Sequence, residues 1–225
     1  MRLPFWIVTA LLLLGAAFLV DAPVANLFTI QSSTFWEHIA LYASKAGEGW
    51  VVALVGVGAS LLLSIMRRYQ AGRFVLLVAI TGLLTGGAAT VIRSLLGRTR
   101  PDSHELQGFY GVWHHSHWII GKYEFGSFPS GHVATVIGLA AAVWLIDRRL
   151  GILAALYALL VSWSRIALGC HHFSDEVAAA ILAIYGAHLV LTRLGPIVCC
   201  IVEHLQNLWL ARPSRIISHR TQPKV

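Results

Sequence analysis

The run FVLLVAITGLLTGGAATVIRSLL, Phe74–Leu96, holds a single charged residue, Arg93, and no proline. Its apolar positions are continuous and do not alternate, so it reads as a helix able to cross the ~30 Å hydrocarbon layer, which takes ~20 residues. Five more stretches read the same way: Leu3–Val20, Trp50–Met66, Val133–Ile146, Leu150–Leu168 and Val177–Leu194. Val133–Ile146 reaches the needed length only if its helix begins at Ser130. The composition agrees, with 57% hydrophobic and only 12% charged residues and a mean hydropathy of +0.70. A soluble domain carries about twice that share of charge. The expected fold class is all-α, an integral membrane bundle of six transmembrane helices with outer-face loops carrying the site. A β-barrel is disfavoured because its strands would alternate. Residues 1–195 form the membrane domain in this reading, 196–211 an amphipathic interfacial helix, and 212–225 a basic disordered tail.

Six spans place both termini on one side. Assigning them to the cytoplasm puts Arg2, Arg67, Arg68, Arg73, Arg148, Arg149, Arg193, Arg212, Arg215, Arg220 and Lys224 inside, 11 of the 17 basic residues. Eight of the ten acidic residues then fall outside. The positive-inside rule therefore sets the orientation, and the net charge of +7 is mostly topological, with no nucleic-acid partner implied. Val20-Asp21-Ala22 loosely fits a signal-peptide cleavage site, but Pro23 and the length of the apolar run disfavour cleavage. The three cysteines, Cys170, Cys199 and Cys200, imply no disulfide framework.

The inner connections, Arg67–Arg73 and Asp147–Arg149, are short; the outer ones, Asp21–Gly49 and Gly97–Pro129, are long and aromatic. Long loops on a rigid scaffold usually carry function. In the first, Phe35, Trp36, Ile39 and Tyr42 suit a short interfacial helix, an anchor rather than a substrate reader.

Three polar clusters stand at outer span ends, where ionisable groups are costly and invite a functional explanation. In RSLLGRTRP, 93–101, a helix continued outward would place Arg93 and Arg100 about two turns apart on one face, with Pro101 as the stop. Two guanidiniums on one face make an oxyanion clamp, although interfacial arginines that snorkel would look the same. Phe128-Pro129-Ser130-Gly131-His132 opens a helix with a residue able to cap and a glycine that lets a ligand approach backbone N–H groups. An ordinary cap beside an interfacial histidine fits equally well. In the third, Ser164-Arg165 precede Cys170-His171-His172-Phe173-Ser174-Asp175. Four residues apart on a helical turn, His171 and Asp175 can pair, the carboxylate fixing the tautomer of a nucleophilic imidazole. Asp175 as a mere helix cap is the alternative.

Taken together, Arg93-x6-Arg100-Pro101, Pro129-Ser130-Gly131-His132 and Ser164-Arg165-x5-His171-x3-Asp175 resemble the motifs of the type 2 phosphatidic acid phosphatase superfamily, across 93–175. That superfamily also holds vanadium-dependent haloperoxidases and glucose-6-phosphatase. One departure is Arg93, where the family usually has Lys. The resemblance implies a metal-independent phosphatase without cofactors, in which His171 attacks phosphorus to give a phosphohistidine and Asp175 orients it. His132 would protonate the leaving oxygen, with Arg93, Arg100, Ser130, Gly131 and Arg165 binding phosphate. Lipid walls suggest a lipid phosphate substrate: phosphatidylglycerophosphate, undecaprenyl pyrophosphate, lipid A or phosphatidic acid. Small size and compact loops point to the bacterial cytoplasmic membrane, with the site facing the periplasm or exterior. The only other partners expected are membrane lipids, with no obligatory protein partner.

Two rival functions use the same residues. A lipid phosphotransferase would pass the phosphoryl group to another lipid, and a non-catalytic phospholipid-binding protein would use the arginines alone. The loop His104–Phe125 holds Trp113, His114, His115, His117 and Trp118. Its Cys and carboxylate positions complete no recognised zinc spacing, so no metal is expected and the histidines are read as lining a headgroup entrance. His172 rivals His171, but only His171 keeps the spacing to Arg165 and Asp175.

Overall fold

The computed structural model describes residues 4–30, 35–197 and 200. It is almost wholly helical: α1 Phe5–Leu19, α2 Asp21–Phe28, α3 Phe35–Ala46, α4 Gly49–Ile65, α5 Tyr69–Leu96, α6 Gly131–Ile146, α7 Arg148–Ala167 and α8 Phe173–Leu189, the last continued by a π-helical turn, Val190–Leu194. A two-stranded ribbon, β1 Trp113–His114 and β2 His117–Trp118, lies between α5 and α6. The six apolar stretches coincide with α1, α4, α5, α6, α7 and α8. The expected interfacial helix at 196–211 and tail at 212–225 fall, apart from residues 196, 197 and 200, outside the described residues.

The structure establishes fewer spans than six. Three helices are long and apolar enough to cross a membrane, Tyr69–Leu96, Arg148–Ala167 and Phe173–Ile197. The pairs α1–α2 and α3–α4 qualify only as spans bent by 59° and 61°. Helix α6 has 16 residues, a rise of about 24 Å, short of the ~30 Å apolar layer. It is the central helix, packed against α5, α7 and α8, so its neighbours rather than lipid cover most of it.

Small residues bring these helices close. The Thr85 hydroxyl of α5 donates to the Ala134 carbonyl of α6 at 2.8 Å. A Cβ at Gly138 would meet the Thr85 hydroxyl oxygen at 2.1 Å, and one at Gly86 the Thr135 hydroxyl oxygen at 1.9 Å. Such contacts let dispersion and interhelical hydrogen bonds replace the hydrophobic drive that lipid removes. Ala89, Val133, Ala134, Ala179 and Ala183 pack together beside them. This core fixes the C-terminal ends of α5 and α7 beside the N-terminal ends of α6 and α8, and those four ends carry the three motif clusters.

Helix α1 is part of the packing: Trp6 lies tilted against Tyr185 of α8 with ring centroids 4.7 Å apart. Asp21, which cleavage after Ala22 would remove, accepts hydrogen bonds from Arg98 and from Ser174.

Candidate active site

Helix α5 stops at Leu96, four residues before Arg100. Gly97 takes the left-handed conformation, φ 57°, and its N–H donates to the Arg93 carbonyl, the usual glycine helix stop. A Cβ there would lie 2.0 Å from the Gly111 carbonyl oxygen. Arg93 and Arg100 therefore do not share a helical face. They converge by a different route, because residues 98–100 run as irregular chain pinned to the outer loop: Arg98 bridges to Phe109, and the Thr99 N–H donates to the Gly108 carbonyl.

Each arginine has its own support. Arg100 donates from Nε to the Tyr123 carbonyl at 2.8 Å and from Nη1 to the Cys170 carbonyl at 3.2 Å, and its guanidinium sits 3.8 Å from the Tyr123 ring centroid. Arg165, buried at the end of α7, donates from Nη1 to the Ser44 hydroxyl of α3. The helix read as an anchor thus also holds a site residue. Arg93 lies against Gly131, where a Cβ would meet its Nη1 at 3.5 Å. All three are close enough to His132 to bear on its charge, as is His171.

Ser130 is the N-cap residue of α6 by position, yet its hydroxyl makes no capping bond. The oxygen is buried beside the Glu176 carboxylate without a full hydrogen bond, which corrects the expectation of a side-chain cap. Arg93, Thr90, Gly131, His132 and Thr135 line a cavity of about 270 Å³ at this end of α6.

The His171 side chain is fully buried, with Nδ1 3.5 Å from Asp175 Oδ2 and Nε2 without a hydrogen-bond partner among the described residues. Burial is the largest influence on the imidazole and lowers its pKa to about 4, against the opposing pull of Asp175. It is therefore a neutral ring. Asp175 both faces His171 and caps α8, accepting from the His172 N–H at 2.8 Å, so the two readings of that residue hold together. His172 is occupied elsewhere. Its Nε2 lies 3.2 Å from the Thr99 carbonyl and 3.1 Å from Gln107 Oε1, both acceptors, so that nitrogen carries the proton. Burial and then Arg98 lower its pKa.

Two residues here escaped the sequence reading. Arg98 forks between Asp175 and Asp21, also donates to the Ser174 hydroxyl at 2.7 Å, and lies against Phe18, Phe109 and Phe128. With the Ser127 hydroxyl it completes the set of donors to Asp175. An aspartate at the end of an apolar segment, Asp21, was the available signal for a buried cation. Glu176 is the other, buried beside Asp175 near Arg165, with the Ser162 and Ser130 hydroxyls within reach of its carboxylate but not in full hydrogen-bond geometry. Six of the seven buried, unpartnered side-chain polar atoms among the described residues belong to Ser130, Arg165, His171 and Glu176. Buried polar groups are normally paired, so this concentration marks a place built for a ligand.

The PAP2 superfamily model matches residues 70–196. The chain belongs to the PAP2 superfamily. Its relatives include the lipid A 1-phosphatase of Rhizobium etli, 32% identical over 51% of this chain and 47% of that one. The lipid A 4'-phosphatase of Bacteroides thetaiotaomicron is 29% identical over 76% of this chain and 75% of that protein. This chain thus spans less than half the length of the Rhizobium relative. Among solved structures, Aquifex aeolicus LpxE superposes with a TM-score of 0.55 at 17% identity, covering 77% of this chain and 95% of that one. That likeness supports the PAP2 fold, a helical membrane bundle.

Proposed function

We propose that this PAP2 protein is a metal-independent lipid phosphatase that hydrolyses a phosphomonoester or pyrophosphate on a membrane lipid through a phosphohistidine at His171 Nε2. The observation that carries this is the state of His171: neutral, buried, faced by Asp175 and unbonded at Nε2, near Arg100 and Arg165. Holding a headgroup would need the cations but not an oriented imidazole. In the proposed cycle the Nε2 lone pair forms a bond to phosphorus as the phosphorus–oxygen bond to the lipid breaks. His132 gives its proton to the departing oxygen, then takes one from a water that attacks phosphorus and releases the histidine. Arg93, Arg100 and Arg165, with Ser130 and the backbone N–H of Gly131, hold the phosphoryl oxygens as charge redistributes.

Lipid A heads the list of substrates, because relatives on two different phylogenetic branches, from Rhizobium and Bacteroides, are named for removing its phosphates. The test is phosphate release by the purified full chain in detergent from lipid A, phosphatidylglycerophosphate, undecaprenyl pyrophosphate and phosphatidic acid. At least one should be hydrolysed, with activity surviving EDTA and blocked by vanadate. His132→Ala should lose ~10²–10⁴-fold on that lipid, the usual cost of a missing general acid. With an aryl phosphate, whose leaving group needs no proton, the first-turnover burst should be largely kept. Failure on all four lipids without a trapped phosphoenzyme would sink the assignment; loss in EDTA restored by a divalent ion, in His114→Ala as in wild type, would sink metal independence.

The arginine asymmetry further supports cytoplasmic termini and an active site on the periplasmic or exterior face. In a Cys170→Ser background, a cysteine introduced between 108 and 121 should react with an impermeant maleimide in intact cells. Labelling only after lysis would reverse the orientation.

A further inference from the structure

The outer loop folds back as the ribbon β1–β2, pairing Trp113 with Trp118 and His114 with His117. The connecting residues His115 and Ser116 have φ of 45° and 62°. Two consecutive left-handed residues suit the twist of a hairpin, but that turn is normally filled by Asn-Gly. Residues with a Cβ are strained in the left-handed conformation. Strain of this kind persists where surrounding structure enforces it, and it gathers at ligand sites.

Here the turn folds the His115 ring onto His114, with centroids 3.9 Å apart at 49°. Glu105, nine residues upstream of His114, brings its Oε2 to 3.8 Å from His114 Nε2. One donor atom from each of Glu105, His114 and His115 lies within 4.8 Å of the others. The His114 ring is wedged against Tyr110, 4.0 Å away between centroids, and Phe125, 5.6 Å away. Its Nε2 is buried without a hydrogen-bond partner, the seventh such atom and the only one away from the catalytic cluster among the described residues.

We propose that Glu105, His114 and His115 form a divalent transition-metal site, zinc by donor chemistry, that braces the outer loop. Two imidazoles and a carboxylate are a borderline donor set that suits zinc. Ligands about 2.0–2.2 Å from a tetrahedral ion stand roughly 3.3 Å apart, so closure needs rotamer adjustments of about an ångström. His115 is exposed, which gives the ion an approach from solvent. Water can take the fourth position. Phe125, against His114, follows Tyr123 and Glu124, whose carbonyls accept from the Arg100 side chain and backbone. The ion would therefore stiffen the wall that holds Arg100 without entering the reaction.

This inference is independent of the phosphatase reading, and its test is binding. The full chain, purified in detergent without a polyhistidine tag and stripped of metal, is titrated with Zn²⁺ and with Co²⁺. Wild type should retain one Zn²⁺ per chain through desalting, melt at a higher temperature when loaded, and give a ligand-field spectrum with Co²⁺. His114→Ala should abolish retention, and Glu105→Gln and His115→Ala, at less buried positions, should weaken it while leaving the metal-free melting temperature unchanged. His38→Ala should bind like wild type. No retained ion in wild type, or equal retention in Glu105→Gln and His115→Ala, overturns the proposal.

Discussion

Replacing His171 by alanine is expected to abolish phosphate release from every substrate and to leave no trapped phosphoenzyme, because it removes the imidazole that Asp175 faces and whose Nε2 is open. His172→Ala should by contrast retain hydrolysis, since that ring is committed to Thr99 and Gln107. The measurement is a rapid-mix experiment with labelled lipid phosphate and an alkaline quench, which preserves the acid-labile nitrogen–phosphorus bond. Asp175→Asn should be milder than His171→Ala in that assay, as the nucleophile stays. The reverse histidine result, with His172→Ala inactive and His171→Ala active, would refute the assignment.

The lowered pKa of His171 adds a pH signature to the same prediction. An ordinary imidazole, near pKa 6.5, would be mostly protonated at pH 5.5 and useless as a nucleophile. Held at about 4, His171 stays neutral there, so kcat/KM, which reports the free enzyme, should show no acid limb from this residue between about pH 5 and 8. For stability the sign is fixed by proton counting. Between about 4 and 6.5 the unfolded chain binds the proton that the folded one refuses, so unfolding is favoured as pH falls through that window. His171's contribution is complete above the unfolded pKa and erodes below it. In His171→Ala this component of the acid sensitivity should disappear.

Much of the fold was legible because lipid demands long apolar helices, and all six apolar stretches became helices. Span number was less legible, since bending at Val20 and at Gly47–Glu48 depends on packing that composition does not encode, whereas the shortness of α6 is already visible in Val133–Ile146. In the site, His171 and Asp175 could be placed from spacing because a helical turn relates them. Arg93 and Arg100 come together although they share no helical face: α5 stops at Gly97, a stronger signal than the proline at 101. Arg98 and Glu176 were passed over because their partners, Asp21 and the α6–α7 wall, are remote in sequence. In the outer loop the sequence shows His114 and His115 but no complete zinc spacing; the third donor, Glu105, is brought in by a left-handed turn and a nine-residue excursion that no spacing rule describes.

Arg98→Met is expected to cost more than any other substitution outside the reacting groups. The guanidinium is one cation shared by two carboxylates, the partly buried Asp21 and the fully buried Asp175, with side-chain exposures of 13% and 0%. Removing it leaves both negative charges without their counter-ion in a low-dielectric interior, a change that typically costs ~3–5 kcal/mol. Phe18, Phe109 and Phe128 around the guanidinium would accept the methionine side chain, so the loss is electrostatic rather than steric. Two readouts separate structure from function. Thermal melting in detergent should fall sharply, and Asp21→Asn placed on top of Arg98→Met should recover part of the loss by deleting one orphaned charge. Activity should not recover with it, because Asp175 still lacks the Arg98 contact to Oδ1 that, with Ser127 and the His172 N–H on Oδ2, sets its carboxylate toward His171. That pattern, melting partly restored while kcat stays low, is what a positioning role for Arg98 requires; a double variant that regains both would reduce Arg98 to a structural ion pair, and a single variant that melts like wild type would remove it from the site altogether.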